Sequence, residues 1–176
     1  GAVAAWRGDI LSTGLADGRR LAKTSALVAA LGDVDELNAC IGLLCVAPGM
    51  TPALLARLRQ VQQELFDLGG ELSLPGRTLL ARDALATLDA DIAAWNAALP
   101  PLTEFVLPGS DEANARAHLA RTVCRRAERT LWEVARQDGN ALSPDLPRYL
   151  NRLSDWLFVL SRTLARQHDT TETVWR

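Results

Sequence analysis

The sequence predicts an all-α fold: a five-helix antiparallel bundle preceded by a glycine-containing N-terminal loop. Three observations lead there. Apolar residues recur at three- and four-residue steps in five stretches, no stretch alternates convincingly with period two, and Pro or Gly punctuation separates the stretches. At 176 residues, 48% hydrophobic and 23% charged, the chain suits one compact globular domain rather than two. The expected layout is an N-terminal segment over 1–23, a bundle over 24–168 and a C-terminal tail over 169–176.

The first helix is expected from about Thr24 to Ala47, carried by Leu27, Leu31, Val34, Leu37, Ile41 and Leu44. Thr51-Pro52 reads as a cap followed by proline at the first helical position. The second helix follows on Leu55, Leu58, Val61, Leu65, Leu68 and Leu72, ending near Leu74-Pro75-Gly76. Leu85, Leu88, Ile92, Trp95 and Leu99 make the third, closed by Pro100-Pro101. After a loop from Leu102 to Ser110, the fourth carries a seam of small residues, Ala113, Ala117, Ala120, Cys124 and Ala127, before Leu131 and Val134. That seam lets a neighbouring helix come close, and Asp138-Gly139-Asn140 ends it. The fifth repeats Leu146, Leu150, Leu153, Leu157, Leu160 and Leu164 in four-three steps. Each helix would run about 17 to 27 residues, roughly 25 to 40 Å. The first 22 residues are glycine-rich and polar, with neither periodicity.

Composition narrows the function. A net charge of −2 gives no global attraction to nucleic acid or an anionic membrane, so any anion site must be local. No apolar run approaches the roughly 20 residues needed to cross a bilayer, and no signal peptide is visible at Gly1-Ala2-Val3-Ala4-Ala5, although a cleaved transit peptide stays open. Cys40, Cys45 and Cys124 form no C-x-x-C pair, and with only His118 and His168 beside them a Cys/His zinc site is not expected. The cysteines read as small core hydrophobes in a reducing compartment, the cytoplasm or an organellar matrix. Glu-x-x-His, a Walker loop and G-x-S-x-G are all missing, which argues against di-iron, P-loop and hydrolytic-triad chemistry.

Two constellations stand out. Arg121, Arg125 and Arg129 recur every four residues, so they share a helix face and repel one another by a few tenths of a kcal/mol per pair, roughly. Either neighbouring acids such as Glu128 answer them, or a polyphosphate or carboxylate ligand does, since guanidinium forks suit bidentate oxyanions. Polar groups also interrupt the seams: Asp33, Asp35, Glu36 and Asn38 on the first helix, and Asn151, Arg152, Ser154, Asp155, Ser161 and Arg162 on the fifth. Such groups are costly unless paired, so they form either an interhelical network or a ligand site.

Read in order, Gly32-Asp33-Val34-Asp35-Glu36-Leu37-Asn38, Phe105-Val106-Leu107-Pro108-Gly109, the run from Arg121 through Arg129, and Tyr149-Leu150-Asn151-Arg152-Leu153-Ser154-Asp155-Trp156-Leu157-Phe158 resemble the PduO-type ATP:corrinoid adenosyltransferases. The closing Glu172-Thr173-Val174-Trp175-Arg176 is similar to that family's end, so the likeness spans nearly the whole chain.

The resemblance implies transfer of the 5′-deoxyadenosyl group of ATP to the cobalt of a reduced corrinoid, releasing triphosphate and forming adenosylcobalamin. It implies ATP, Mg²⁺ and a corrinoid (cobalamin) as ligands, a homotrimer with sites between subunits, and as partners an electron-donor reductase and an adenosylcobalamin-dependent acceptor enzyme. Arg125 and Arg129 would hold the triphosphate, with Arg126 and Glu128 alongside. Asn151 and Lys23 would contact the nucleotide, and Asp35 would pair with Arg125 across the interface. No residue of the chain is implied as a direct metal ligand. Co(I) is itself the nucleophile, so the scarcity of histidine is no objection; the protein supplies positioning and charge neutralisation. Phe105 would pack under the corrin ring in place of the lower axial ligand, whereas on the residues alone it reads as a loop anchor on the core.

The N-terminal loop departs from the family's Thr-Gly-Asp-x-Gly. Gly8, Asp9, Thr13 and Gly14 are retained as phosphate-loop candidates, but Arg7 replaces the threonine and Leu11 the second glycine. Phosphate-wrapping backbone often needs glycine for positive φ or close approach. Ser110 likewise replaces a glycine after Leu107-Pro108-Gly109. Two readings follow: an enzyme with an altered loop in which Arg7 adds a phosphate contact, or a non-catalytic corrinoid- or nucleotide-binding trimer.

Overall fold

The computed structural model describes residues 11–137 and 142–176. Side-chain caps set three of the helix starts. Val28 N–H donates to Ser25 Oγ at 3.3 Å, opening α1 (Ala26–Cys45). Leu54 N–H donates to Thr51 Oγ1 at 3.3 Å, and Pro52, needing no donor, starts α2 (Pro52–Ser73). Asn114 N–H donates to Asp111 Oδ1 at 2.7 Å at the head of α4 (Glu112–Arg136). The remaining two are α3 (Ala84–Ala97) and α5 (Asp145–Gln167). At 14 residues α3 is shorter than the periodicity suggested, because Ala98 and Leu99 leave the helix in turns before Pro100.

One expectation fails. The N-terminal segment contains a small antiparallel hairpin, β1 (Ser12–Gly14) with β2 (Arg20–Ala22), in the register Ser12 with Ala22 and Gly14 with Arg20. Strands of three residues are too short to display a period of two. Gly18, at φ 85°, and Asp17, whose Oδ1 accepts from Arg19 N–H at 3.0 Å, make the turn. Leu15 is buried and pins the hairpin to the core.

Helix α4 lies between α1 and α5. Ala113, Ala117, Ala120, Cys124, Ala127 and Leu131 are all buried on it. The polar links run oppositely in sequence, Arg116 to Leu43 O and Thr130 to Asp33 on α1, Asn114 to Ser161 O and Asn151 to Glu128 on α5, so α4 is antiparallel to both. By contrast, Asp89 with Arg152, Asp91 with Trp156 and Pro100 with Arg162 show α3 running alongside α5 in the same direction. The polar tips of the two large buried aromatics are satisfied: Trp156 Nε1 donates to Asp91 Oδ2 at 2.9 Å and Tyr149 OH donates to Glu64 Oε2 at 2.7 Å. The Cys124 thiol is pushed up by burial and donates to Leu150 O, which fits a core role.

His168 closes one end of the bundle. Its Nδ1 is 2.6 Å from Asp111 Oδ2 and its Nε2 is 3.0 Å from the carbonyl of Gly49. Gly49 sits at φ 78°, and a Cβ there would lie 2.5 Å from His168 Nε2, so the approach requires glycine. With acceptors at both nitrogens the ring is held as imidazolium, its pKa raised by the Gly49 carbonyl first and by Asp111 second. A raised folded pKa means this stabilisation is complete below the ordinary value of 6.5 and is lost as pH climbs through the folded value. Urea unfolding of the wild type should therefore show stability falling between neutral and mildly alkaline pH, and His168→Gln should remove that component of the profile.

Candidate functional site

The twice-packed α4 presents most of its arginines outward. Arg126 Nη2 meets Glu36 of α1 and its Nε lies 3.3 Å from Asp33 Oδ1, while Thr130 Oγ1 donates to Asp33 Oδ2 at 2.5 Å. Arg116 is answered by Glu112 and the Leu43 carbonyl. Arg125 and Arg129, both exposed, make no side-chain hydrogen bond or ion pair among the described residues. The row of three arginines thus splits: Arg121 is half-buried and turned inward onto His118, and the other two remain as an open cationic face.

Two grooves lie along the α4–α5 seam, seven residues or about 10 Å apart by helical rise. The first, about 510 Å³, is lined by Glu128 and Trp132 of α4, Asn151 and Arg152 of α5, and Leu85 and Asp89 of α3. Here the structure joins two sequence candidates: Asn151 Nδ2 donates to Glu128 Oε1 at 3.2 Å, and Trp132 Nε1 donates to the same oxygen at 3.4 Å.

The second groove, about 470 Å³, is lined by Leu102 through Val106 together with His118, Arg121 and Phe158. Phe105 is 77% exposed at its mouth, so the reading of it as an anchor on the core does not hold. What fixes its loop is the C-terminal tail. Leu107 N–H donates to Thr173 O at 2.7 Å, Trp175 N–H donates to Phe105 O at 2.8 Å, and the Phe105 and Trp175 rings meet edge-on at 6.3 Å. The tail is itself tied down where Arg162 Nε, on α5, lies 3.5 Å from Glu172 Oε1, with Arg162 Nη2 donating to Pro100 O. On the helix side, Gly109 takes φ 106° and the amides of Gly109 and Ser110 both donate to Asn114 Oδ1, at 2.8 and 3.1 Å. Ser110 does not itself adopt positive φ, so a side chain is accommodated there.

Sequence reasoning missed His118 and the tail pairing. His118 is buried in the small-residue seam, three residues before Arg121, and Arg121 Nε donates to its Nδ1 at 3.2 Å. Burial, then the Arg121 charge, lowers its pKa to about 4, so the ring is neutral at physiological pH. The spacing to Arg121 was the available signal. For the tail it was the β-prone Thr173-Val174-Trp175 facing Phe105-Val106-Leu107.

Other candidates are not brought together within this chain. Asp35 is exposed and does not touch Arg125; its neighbours Asp33 and Glu36 take the α1 contacts instead. Thr13 and Gly14 lie on β1 and Lys23 follows β2, its N–H donating to Leu11 O at 3.0 Å, and no side-chain bond among the described residues links these three to α4. Gly8 and Asp9, like Arg7, lie outside the described residues.

The bundle thus carries an exposed arginine pair on α4, a polar groove and an aromatic groove, chemistries that suit an oxyanion and a large apolar molecule respectively. A profile described as cobalamin adenosyltransferase matches residues 3–164. The chain is 50% identical over 174 residues to a cobalamin adenosyltransferase of Cupriavidus metallidurans, covering 99% of this chain and 94% of that one. It is 40% identical over 176 residues to a corrinoid adenosyltransferase of Mycobacterium tuberculosis, covering 96% and 90%. The solved structure of a variant PduO-type ATP:corrinoid adenosyltransferase from Lactobacillus reuteri, complexed with cobalamin and ATP, matches with a TM-score of 0.90 at 28% identity, over 99% of this chain and 97% of that one. The chain belongs to the cobalamin adenosyltransferase family.

Truncation after Glu172 removes the Thr173 acceptor and the Trp175 ring together. Amide hydrogen exchange at Leu107 should then rise about tenfold or more while α4 and α5 keep their protection.

Proposed function

We propose that the chain transfers the 5′-deoxyadenosyl group of ATP to the cobalt of a reduced corrinoid, with release of triphosphate. The observation that carries this reading is the pair Arg125 and Arg129, exposed and unanswered on a helix whose other arginines have partners. Like charges one turn apart cost a few tenths of a kcal/mol, roughly, and are kept where an anion neutralises them. The relatives named above carry the same activity in their names, and the matched structure holds both ligands.

In the reaction the Co(I) electron pair forms the bond to C5′ as the C5′–O bond breaks, and that oxygen departs with the triphosphate. Arg125 and Arg129 receive the charge that collects on the leaving group, and need no reorganisation because α4 is packed on two sides. Asn151, oriented by Glu128, contacts the nucleotide from the polar groove. Arg126, committed to Glu36 and Asp33, holds α1 against α4 and so keeps the face in place. Phe105 offers its exposed ring to the corrin and excludes a lower axial ligand. Lys23, Thr13 and Gly14, with Gly8 and Asp9, cover the phosphates.

No group of three His, Cys, Asp or Glu side chains that could hold a metal ion is found among the described residues, and Mg²⁺ is assigned to the nucleotide rather than to a protein site. It enters bound to the nucleotide's own phosphate oxygens. Asp35, exposed on α1, is the carboxylate available to Arg125 of a neighbouring copy, which supports a homotrimer with shared sites. A reductase supplying the electron and an acceptor of adenosylcobalamin complete the proposed partners, in the cytoplasm or an equivalent reducing compartment. No helix among the described residues is long and apolar enough to cross a membrane.

The test is anaerobic mixing with chemically reduced cobalamin, ATP and Mg²⁺, following the absorbance change of Co–C bond formation. Adenosylcobalamin should form, and Arg125→Ala or Arg129→Ala should each lower kcat/KM about 10²- to 10³-fold without altering the circular dichroism spectrum. Unchanged kinetics in both variants would remove the arginine face from the mechanism.

A further inference from the structure

His118 is 2% exposed and makes one hydrogen bond, accepting from Arg121 Nε at Nδ1. A neutral imidazole that accepts at Nδ1 carries its proton on Nε2. That Nε2–H is buried without an acceptor. A buried donor left unmatched is destabilising, so such a group calls for an explanation. Its place in the fold supplies one: His118 lines the groove of Phe105 and Phe158, with the Arg121 guanidinium beside it. The ring stands edge-on to Phe158 at a centroid distance of 6.1 Å, which fixes its plane. Glu104, the carboxylate in the same wall, is exposed and makes no bond to it.

We infer that His118 is a positioning residue for the corrinoid: its Nδ1 lone pair sets the Arg121 guanidinium, and its Nε2–H donates to a peripheral amide carbonyl of the corrin. The inference rests on the reading that this groove receives the corrinoid. A corrin is broad and apolar across its faces and carries amide carbonyls around its rim. Aromatic walls with one N–H donor and one oriented guanidinium match that distribution. The neutral ring donates without adding charge beside Arg121, and an imidazolium there would repel it.

The test compares His118→Phe, His118→Gln and His118→Asn in the full chain, measuring the Kd of cob(II)alamin at saturating ATP, the Kd of ATP, and Tm. Phenylalanine keeps the ring and removes both nitrogens, the Gln amide reaches the Nε2 position, and the Asn amide reaches only Nδ1. His118→Phe should bind cob(II)alamin about tenfold more weakly with ATP affinity unchanged, and its Tm should stay close to that of the wild type, because removal of the unmatched Nε2–H offsets the loss of the Arg121 acceptor. His118→Gln should recover most of the affinity and His118→Asn should not. Undiminished cob(II)alamin affinity in His118→Phe, or equal losses in Gln and Asn accompanied by lowered Tm, would overturn the inference and leave a structural histidine. If His118→Phe does not fold, the contrast between Gln and Asn decides alone. A wild type that binds ATP but no cob(II)alamin would instead overturn the reading of the groove, and this inference with it.

Discussion

The close approach of helices across the small-residue seam of α4 is the constraint on which the rest of the structure depends. Ala113, Ala117, Ala120, Cys124 and Ala127 leave no bulk between α4 and its neighbours, so α1 and α5 both bury against it. Overfilling such a seam costs about 1–3 kcal/mol per enlarged side chain. Because two faces of α4 are consumed by packing, its charged residues are confined to the remainder of its circumference. Their directions are therefore set by the core rather than by one another. The arginine face, both grooves and the inward turn of Arg121 all follow from that confinement.

Charge is distributed along this helix in a graded way. Arg126 is matched within the chain, Arg121 leans on a neutral imidazole, and Arg125 and Arg129 are left to solvent. Matched pairs on a half-exposed surface contribute little net stability, so their value here is in fixing α1 against α4. The unmatched pair is where an anion gains most. A similar division holds at the other groove, where the exposed Phe105 ring is held by backbone bonds to the tail rather than by burial of its own side chain. In both places the exposed side chains are positioned by contacts of neighbouring residues.

The helices were legible because their three-four spacing and the Thr51-Pro52 start act locally, whereas the Ser25 and Asp111 caps emerged only with the structure. The hairpin was not, since three-residue strands carry no period and the pairing of Ser12 with Ala22 is a contact across a turn. Phe105 could be recognised through its motif, yet its exposure depends on Thr173 and Trp175, some 70 residues away in the chain. The arginine row was visible as a repeat, while its division into one inward and two open members required knowing that Arg121 packs against His118 and that Asp33 and Glu36 are taken up by Arg126. His118 was counted and set aside for lack of a partner motif. Only its burial against Arg121 gives it a role.

The central claim is that Arg125 and Arg129 form an anion site kept open by the packing of α4. The most direct measurement is the thermal unfolding of the wild type and of an Arg125→Gln, Arg129→Gln double variant, each with and without inorganic triphosphate at constant ionic strength. Binding to the folded state alone raises Tm by mass action. The account predicts a rise of several degrees in the wild type, on the order of 2–4 °C per kcal/mol of binding, and no rise in the double variant. Equal shifts in both proteins, or none in either, would contradict it.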